Sequence, residues 1–145
     1  MVSVLIVLSL LCLFCVVYPY VVYGAILARV PDKPLSPRPG HKTSATLVFC
    51  ACNESASLGQ KLENIAALKA RHPDLEVLAF DDGSSDGSLA MMQARPDLLE
   101  VIAGGGRNGK AHGMKLLAAR ARGGIMIFTD ANVTLREDAI DALMA

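Results

Sequence analysis

The chain has no tryptophan, and its 145 residues carry only three Tyr and four Phe. Phe14, Tyr18, Tyr20 and Tyr23 cluster near the N-terminus, while Phe49, Phe80 and Phe128 sit inside apolar runs. No aromatic platform is left for stacking bases. Nor is there an excess of either charge: 14 Lys and Arg balance 14 Asp and Glu. A polybasic nucleic-acid binder is excluded on that ground, and no nucleic-acid partner is expected. Cysteine is scarce too. Cys12 and Cys15 lie in the apolar N-terminal run, and Cys50 and Cys52 alternate within a predicted strand. Four such residues build neither a disulfide scaffold nor a zinc site. Cys50 and Cys52 read as small buried hydrophobes in a reducing compartment. No internal repeat is present. Charged residues are 19% against 52% hydrophobic, which argues against disorder.

The hydrophobicity is uneven. Residues 1–30 contain no charge before Arg29, a run longer than the ~20 apolar residues that cross a bilayer. A cleaved signal would want a basic start and a short apolar centre. The start is uncharged and the run is long, so residues 1–30 read as an uncleaved transmembrane anchor. Tyr18, Tyr20 and Tyr23 suit the interface, and Pro19 is expected to kink the helix or mark its wet end. Arg29, Lys33, Arg38 and Lys42 follow, opposed only by Asp32. By the positive-inside rule this flank is cytoplasmic. The expected location is the inner (cytoplasmic) membrane, with one span and the rest of the chain in the cytoplasm. Residues 31–44 hold four of the seven prolines and read as a stiff, extended tether.

Residues 45–145 alternate between strand and helix signals. Thr46–Cys52, Leu75–Phe80, Leu99–Ala103 and Ile125–Thr129 are short apolar runs rich in strand formers. Between them, Ser55–His72 carries Leu58, Leu62, Ile65 and Leu68 at helical spacing, with Ser55 or Ser57 as N-cap. Asp86–Ala94 and Lys110–Arg122 are the next helices. Thr134 and Glu137 have capping-box spacing and predict the start of a last one. This βα alternation predicts a mainly parallel sheet with helices on both faces, an α/β fold.

In such sheets ligands bind beyond the carboxyl ends of the strands, and the polar residues fall there. Asn53 and Glu54 follow the first strand, and Asp81 and Asp82 the second. The glycine loop Gly104–Gly109 and Lys110 follow the third, and Asp130 and Asn132 the fourth. Turn and cap chemistry accounts for Ser84, Ser85 and Asp86. It does not account for adjacent carboxylates at a buried strand end, which repel unless a donor or cation arrives. A ligand's ring N–H and sugar hydroxyls are suitable donors. Asp130 and Asn132 offer hard oxygen ligands for a divalent cation (Mg2+ or Mn2+) carrying a diphosphate. Gly104 to Lys110 also matches the start of a phosphate-binding P-loop, but Ala111 stands where Ser or Thr would hold Mg2+. A P-loop-like NTPase is therefore a rival reading. His72 and His112 read as solvated or packed, though His112 lies beside Lys110.

The motifs Cys52-Asn53-Glu54, Asp81-Asp82-Gly83-Ser84-Ser85-Asp86, Asn108-Gly109-Lys110-Ala111 and Asp130-Ala131-Asn132 together resemble family 2 glycosyltransferases of the GT-A fold. The nearest resemblance is to the membrane-anchored bacterial polysaccharide synthases, those of cellulose, hyaluronan and poly-N-acetylglucosamine. It covers residues 45–145. It implies an enzyme of hexosyltransferase type that transfers sugar from a nucleotide-sugar donor, commonly UDP-linked, to a glycan or lipid-linked acceptor hydroxyl. Asn53 and Glu54 would lie at the nucleoside pocket, and Asp81 and Asp82 at base and ribose. Lys110 would lie near the phosphates, and Asp130 and Asn132 at the Asp-x-Asp position that binds metal and diphosphate. The resemblance further implies that the general base, the acceptor motif and more membrane helices lie downstream of residue 145. The chain is thus expected to be the N-terminal part of a longer enzyme, inactive alone. A membrane-tethered protein that binds a nucleotide sugar without turning it over is the remaining alternative.

Overall fold

The computed structural model describes residues 2–31 and 44–144, so most of the predicted tether lies outside the described residues. The chain forms two units, residues 1–36 and 37–145.

In the first unit, apolar side chains on every face suit lipid rather than a protein core. α1 (Val2–Val17) runs into a π-helical turn, Tyr18–Val22, and then α2 (Tyr23–Leu27). The turn contains Pro19, which lacks the N–H that a regular ladder needs. The expected kink thus takes the form of a change in winding, and the helix continues. Val2–Leu27 is long and apolar enough to cross a membrane, and none of its apolar window is buried by protein. Arg29 donates from its guanidinium to the Ala25 carbonyl at 2.7 Å, satisfying one terminal acceptor.

In the second unit, β1 (Ala45–Ala51) is buried at every position except Cys50, which is half-buried. Such a run suits a central parallel strand covered on both faces. β1 pairs in parallel with β2 (Glu76–Asp81), Phe49 opposite Ala79, and with β4 (Ile125–Phe128), Leu47 opposite Ile127. β3 (Glu100–Ala103) pairs with β2, so the order is β3-β2-β1-β4. The chain winds outward from β1 to β3, then returns to the far side of β1. The loops after β1 and β4 therefore diverge and leave a crevice at the switch point.

Pleating divides β1 between two cores. Leu47 and Phe49 join Leu58, Leu62, Ile65 and Leu68 of α3 (Ser55–Arg71), Met92 of α4 (Ser88–Gln93) and Ile140 of α6 (Ala139–Met144). Val48 joins Leu78, Phe80 and Leu117 of α5 (Lys110–Arg120) on the other face. Each fully buried Leu, Ile or Phe contributes about 1.5–3 kcal/mol. Gly113 lets α5 lie against the sheet, since a methyl there would come within 2.3 Å of the Phe80 ring.

Several predicted boundaries move. The capping box at Thr134 and Glu137 does not form, and α6 begins only at Ala139. The reason is tertiary: the Asn64 side chain takes both the N–H and the carbonyl of Leu135, so that residue cannot join a helix. Neither Ser55 nor Ser57 caps α3. Its first donors are satisfied from the β2–α4 loop and the first residue of α4, the Ser55 N–H by Asp86 Oδ2 (2.9 Å) and the Glu54 N–H by Ser88 Oγ (2.9 Å). α4 starts two residues later than predicted, after a left-handed Gly87. α5 stops at Arg120, because the Arg122 N–H is held by Glu76 at 2.8 Å.

Candidate functional site

Beyond the carboxyl ends of β1, β2 and β4, a cleft of about 270 Å3 is lined by Cys50 to Cys52, Glu54, Asp82, Lys110 and Asp130 to Asn132. Five of the seven residues singled out in the sequence therefore share one cavity: Glu54, Asp82, Lys110, Asp130 and Asn132. Asn53 and Asp81 flank it without lining it.

The β1–α3 and β2–α4 loops are sewn together. Asn53 adopts a positive φ of 57°, which Asn tolerates better than most residues. That conformation presents its N–H to Ser84 Oγ (3.1 Å) and its side-chain oxygen to the Ser85 N–H (2.8 Å). Glu54 accepts from the Ser57 hydroxyl at 2.9 Å. Asp86 accepts from the Ser88 hydroxyl at 2.5 Å and from the Ser55 N–H. Its carboxyl is held well below the usual range, by the Ser88 hydroxyl first and the Ser55 N–H second.

The adjacent carboxylates have different surroundings. Asp82 is 8% exposed. It accepts from the backbone N–H groups of Asn108 (2.6 Å) and Gly109 (3.0 Å). Those are groups that a P-loop would aim at a phosphate, so the NTPase reading loses its central device. Asp81 is 2% exposed; its Oδ2 accepts from the Ser84 N–H at 3.1 Å. Its Oδ1 is buried with no partner among the described residues. An orphaned buried acceptor is costly and calls for a donor.

On the other side of the cleft the groups are open. Lys110 pairs with Asp130, and their side chains are 61% and 53% exposed. The Asp130 carboxylate raises the Lys110 pKa, so this lysine stays cationic. An exposed pair of this kind holds weakly and exchanges partners readily. Cys50 and Cys52 are half-buried in the cleft wall rather than fully buried as expected. Burial pushes the Cys50 thiol up to about 11, which makes it a poor nucleophile. His112 lies edge-on to Phe80 with ring centroids 6.2 Å apart, and His72 sits 3.5 Å from Asp141. Neither histidine lines the cleft.

The sequence reading missed Lys61. It lies in the apolar stripe Leu58–Leu62–Ile65 of α3 and is 1% exposed. Its ammonium reaches Thr129 and Val133, on either side of the Asp130–Asn132 turn. Burial lowers its pKa to about 8, and Asp130 opposes the drop. The available signal was an ionisable residue on a helix face otherwise given to the core.

Among the described residues no group of three or more His, Cys, Asp or Glu could cage a metal. At one turn of the cleft, Asp130 and Asn132 offer one carboxylate and one amide oxygen instead. That set fits a divalent cation which keeps water and takes its remaining ligands from phosphates.

The sequence model of the family described as glycosyl transferase family 2 matches residues 46–145. Among solved structures, the chain is similar to the mannosyltransferase PcManGT from Pyrobaculum calidifontis, in complex with GDP-Man and Mn2+. Identity is 27% and the TM-score 0.68, over 80% of this chain and 35% of that one. It is similar in fold to S. aureus TarS in complex with UDP-GlcNAc, at 19% identity and TM-score 0.61, over 69% of this chain and 30% of that one. It is also similar in fold to glucosyl-3-phosphoglycerate synthase from Mycobacterium tuberculosis in complex with Mn2+, UDP and glucosyl-3-phosphoglycerate. There the identity is 21% and the TM-score 0.52, over 72% and 43% of the two chains. The chain thus spans about a third of the length of the first of these. Comparison with curated proteins by sequence gives no match.

Proposed function

The chain belongs to glycosyl transferase family 2, and from that premise we propose that its cleft binds the nucleoside diphosphate portion of a sugar donor, for transfer to a hydroxyl acceptor. The observation that carries the reading is the convergence of Glu54, Asp82, Lys110, Asp130 and Asn132 on one cavity at the switch point. Beside it, the unpartnered Asp81 Oδ1 needs an N–H or O–H donor. A nucleobase supplies one, from the ring N–H of uracil or guanine or from the exocyclic amine of adenine, cytosine or guanine. A UDP- or GDP-linked donor is favoured because similar solved structures hold GDP-Man and UDP-GlcNAc.

In this reading Asp81 holds the base, and Asn53 and Glu54 shape the nucleoside side of the cleft. Asp82 fixes the glycine loop that carries Lys110. The Lys110 ammonium leaves Asp130 for a phosphate oxygen, and Asp130 and Asn132 are the residues that would hold Mg2+ or Mn2+. When bound, such a cation supplies positive charge against the diphosphate leaving group. The acceptor hydroxyl needs a base, and that role is assigned to none of the cleft residues. We assign the acceptor to a glycan or lipid-linked chain in cell-surface polysaccharide synthesis, because the apolar helix Val2–Leu27 suits work at a membrane.

Calorimetric titration of the full chain in detergent with UDP, GDP and ATP, each with and without Mn2+, tests the reading. Binding of UDP or GDP that strengthens with Mn2+, with no response to ATP, is the expected result. ATP-selective binding, or binding of none of the three, would overturn it. The basic flank Arg29, Lys33, Arg38 and Lys42 supports assigning residues 45–145 to the cytoplasmic side of an inner membrane. A reporter active only in the cytoplasm and fused after Met144 should be active, and silence would reverse the orientation.

A further inference from the structure

Between Thr129 and the start of α6 the backbone is irregular and runs over the α3 face of the core. Its inward-facing polar groups need partners. Two α3 side chains, three residues apart and so on one helix face, supply them. Lys61 Nζ donates to Thr129 Oγ1 at 3.0 Å and to the Val133 carbonyl at 2.6 Å. Asn64 donates to the Leu135 carbonyl at 2.7 Å and accepts from the Leu135 N–H at 2.8 Å. The three residues between the Lys61 anchor points are Asp130, Ala131 and Asn132, all lining the cleft. Ala131 is 3% exposed and seals the turn against the core. The ammonium stands 5.6 Å from the Phe49 ring centroid, which offers its face as a further partner. A buried cation is an expensive way to satisfy one hydroxyl and one carbonyl. Its place beneath the open carboxylate of Asp130 gives it a second effect, a positive field behind the turn.

We infer that Lys61 and Asn64 are positioning residues, which clamp the Asp130–Asn132 turn from beneath in the shape that receives the metal-bound diphosphate. The inference rests on the donor-binding reading given above. It adds two residues outside the cleft to the machinery of that site.

Lys61→Met and Asn64→Ala in the full chain test it by two independent measurements. Hydrogen exchange reads the clamp without any ligand. Amides of residues 129–135 should exchange about tenfold faster or more in both variants, while β1 and β2 keep their protection. Titration with UDP and GDP, with and without Mn2+, and with uridine and guanosine, reads the consequence. The Mn2+-dependent gain in affinity should fall about 10–100-fold, as for other partners that orient metal ligands, while nucleoside affinity holds within about twofold. A packing role alone would weaken nucleoside and diphosphate binding alike. Unchanged exchange at 129–135, or equal loss for nucleoside and diphosphate, would overturn the inference. If Lys61→Met fails to fold, the half-buried Asn64→Ala decides by the same readouts. If the unaltered chain binds neither UDP nor GDP, the donor reading fails, and the exchange rates still show whether the clamp exists.

Discussion

On the flank of the cleft formed after β1 and β2, polar side chains are engaged with one another. Asn53 holds the Ser84–Ser85 turn, Asp86 and Ser88 hold the start of α3, and Asp82 holds the glycine loop. On the flank formed after β3 and β4, Lys110 and Asp130 are more than half exposed and meet in a pair that water competes for. The same residue types thus do two jobs. Where a loop must keep a fixed shape, acids and hydroxyls replace missing backbone partners, and one buried oxygen of Asp81 is left without a partner among the described residues. On the open flank the charges stay solvated, and the chain on either side of the Asp130–Asn132 turn is bonded from α3 by Lys61 and Asn64. Substitutions on the first flank should therefore register as stability, and those on the second as binding.

Gly83 tests the seam between the flanks and carries the largest expected effect. Its φ is +72°, and a Cβ would come within 2.8 Å of the Gly106 backbone. Gly83→Ala should lower the unfolding free energy by about 3 kcal/mol, from positive-φ strain and backbone overlap together. Denaturant titration of the chain in detergent measures this. An unchanged midpoint would mean that the β2–α4 and glycine loops do not pack.

Asp130→Ala probes the open flank. It should leave that midpoint where it is and weaken Mn2+-dependent UDP or GDP binding by about 100-fold, or about 2.7 kcal/mol. A large loss of stability with no loss of binding would erase the contrast between the two sides.

The smallest effect comes from acid. The carboxyl of Asp86 is held low in the folded chain by Ser88 and Ser55, and rises to about 3.9 on unfolding. A depressed folded value contributes stability above the unfolded value and loses it as pH falls toward the folded one. Stability should decline below about pH 4, and Asp86→Asn should flatten that decline. Unfolding midpoints between about pH 5 and pH 3 measure it; identical slopes in both proteins would remove Asp86 from the network.

How far the sequence could be read differs along the chain for physical reasons. All four strands were visible because apolar runs at short spacing are local signals. The cleft residues were visible because polar groups directly after such runs fall at strand ends, and five of the seven meet in one cavity. Helix starts were misjudged where a cap comes from a distant loop. Ser55 looks like an N-cap in isolation, yet Asp86 supplies the acceptor from 31 residues away. Thr134 and Glu137 look like a capping box, yet Asn64 holds Leu135 out of the helix from 71 residues away.

The sequence by itself determined the apolar span, the βα alternation and the side of the sheet edge on which the acids and Lys110 would stand. Each of these depends on neighbours a few residues apart. Only the tertiary structure decided the strand order that opens the crevice between β1 and β4, and the division of Asp81 and Asp82 between an orphaned acceptor and a loop latch. It also decided the use of a buried lysine beneath Asp130. Those outcomes depend on hydrogen bonds and burial between segments far apart in the chain, whose free energy exists only once the sheet has formed.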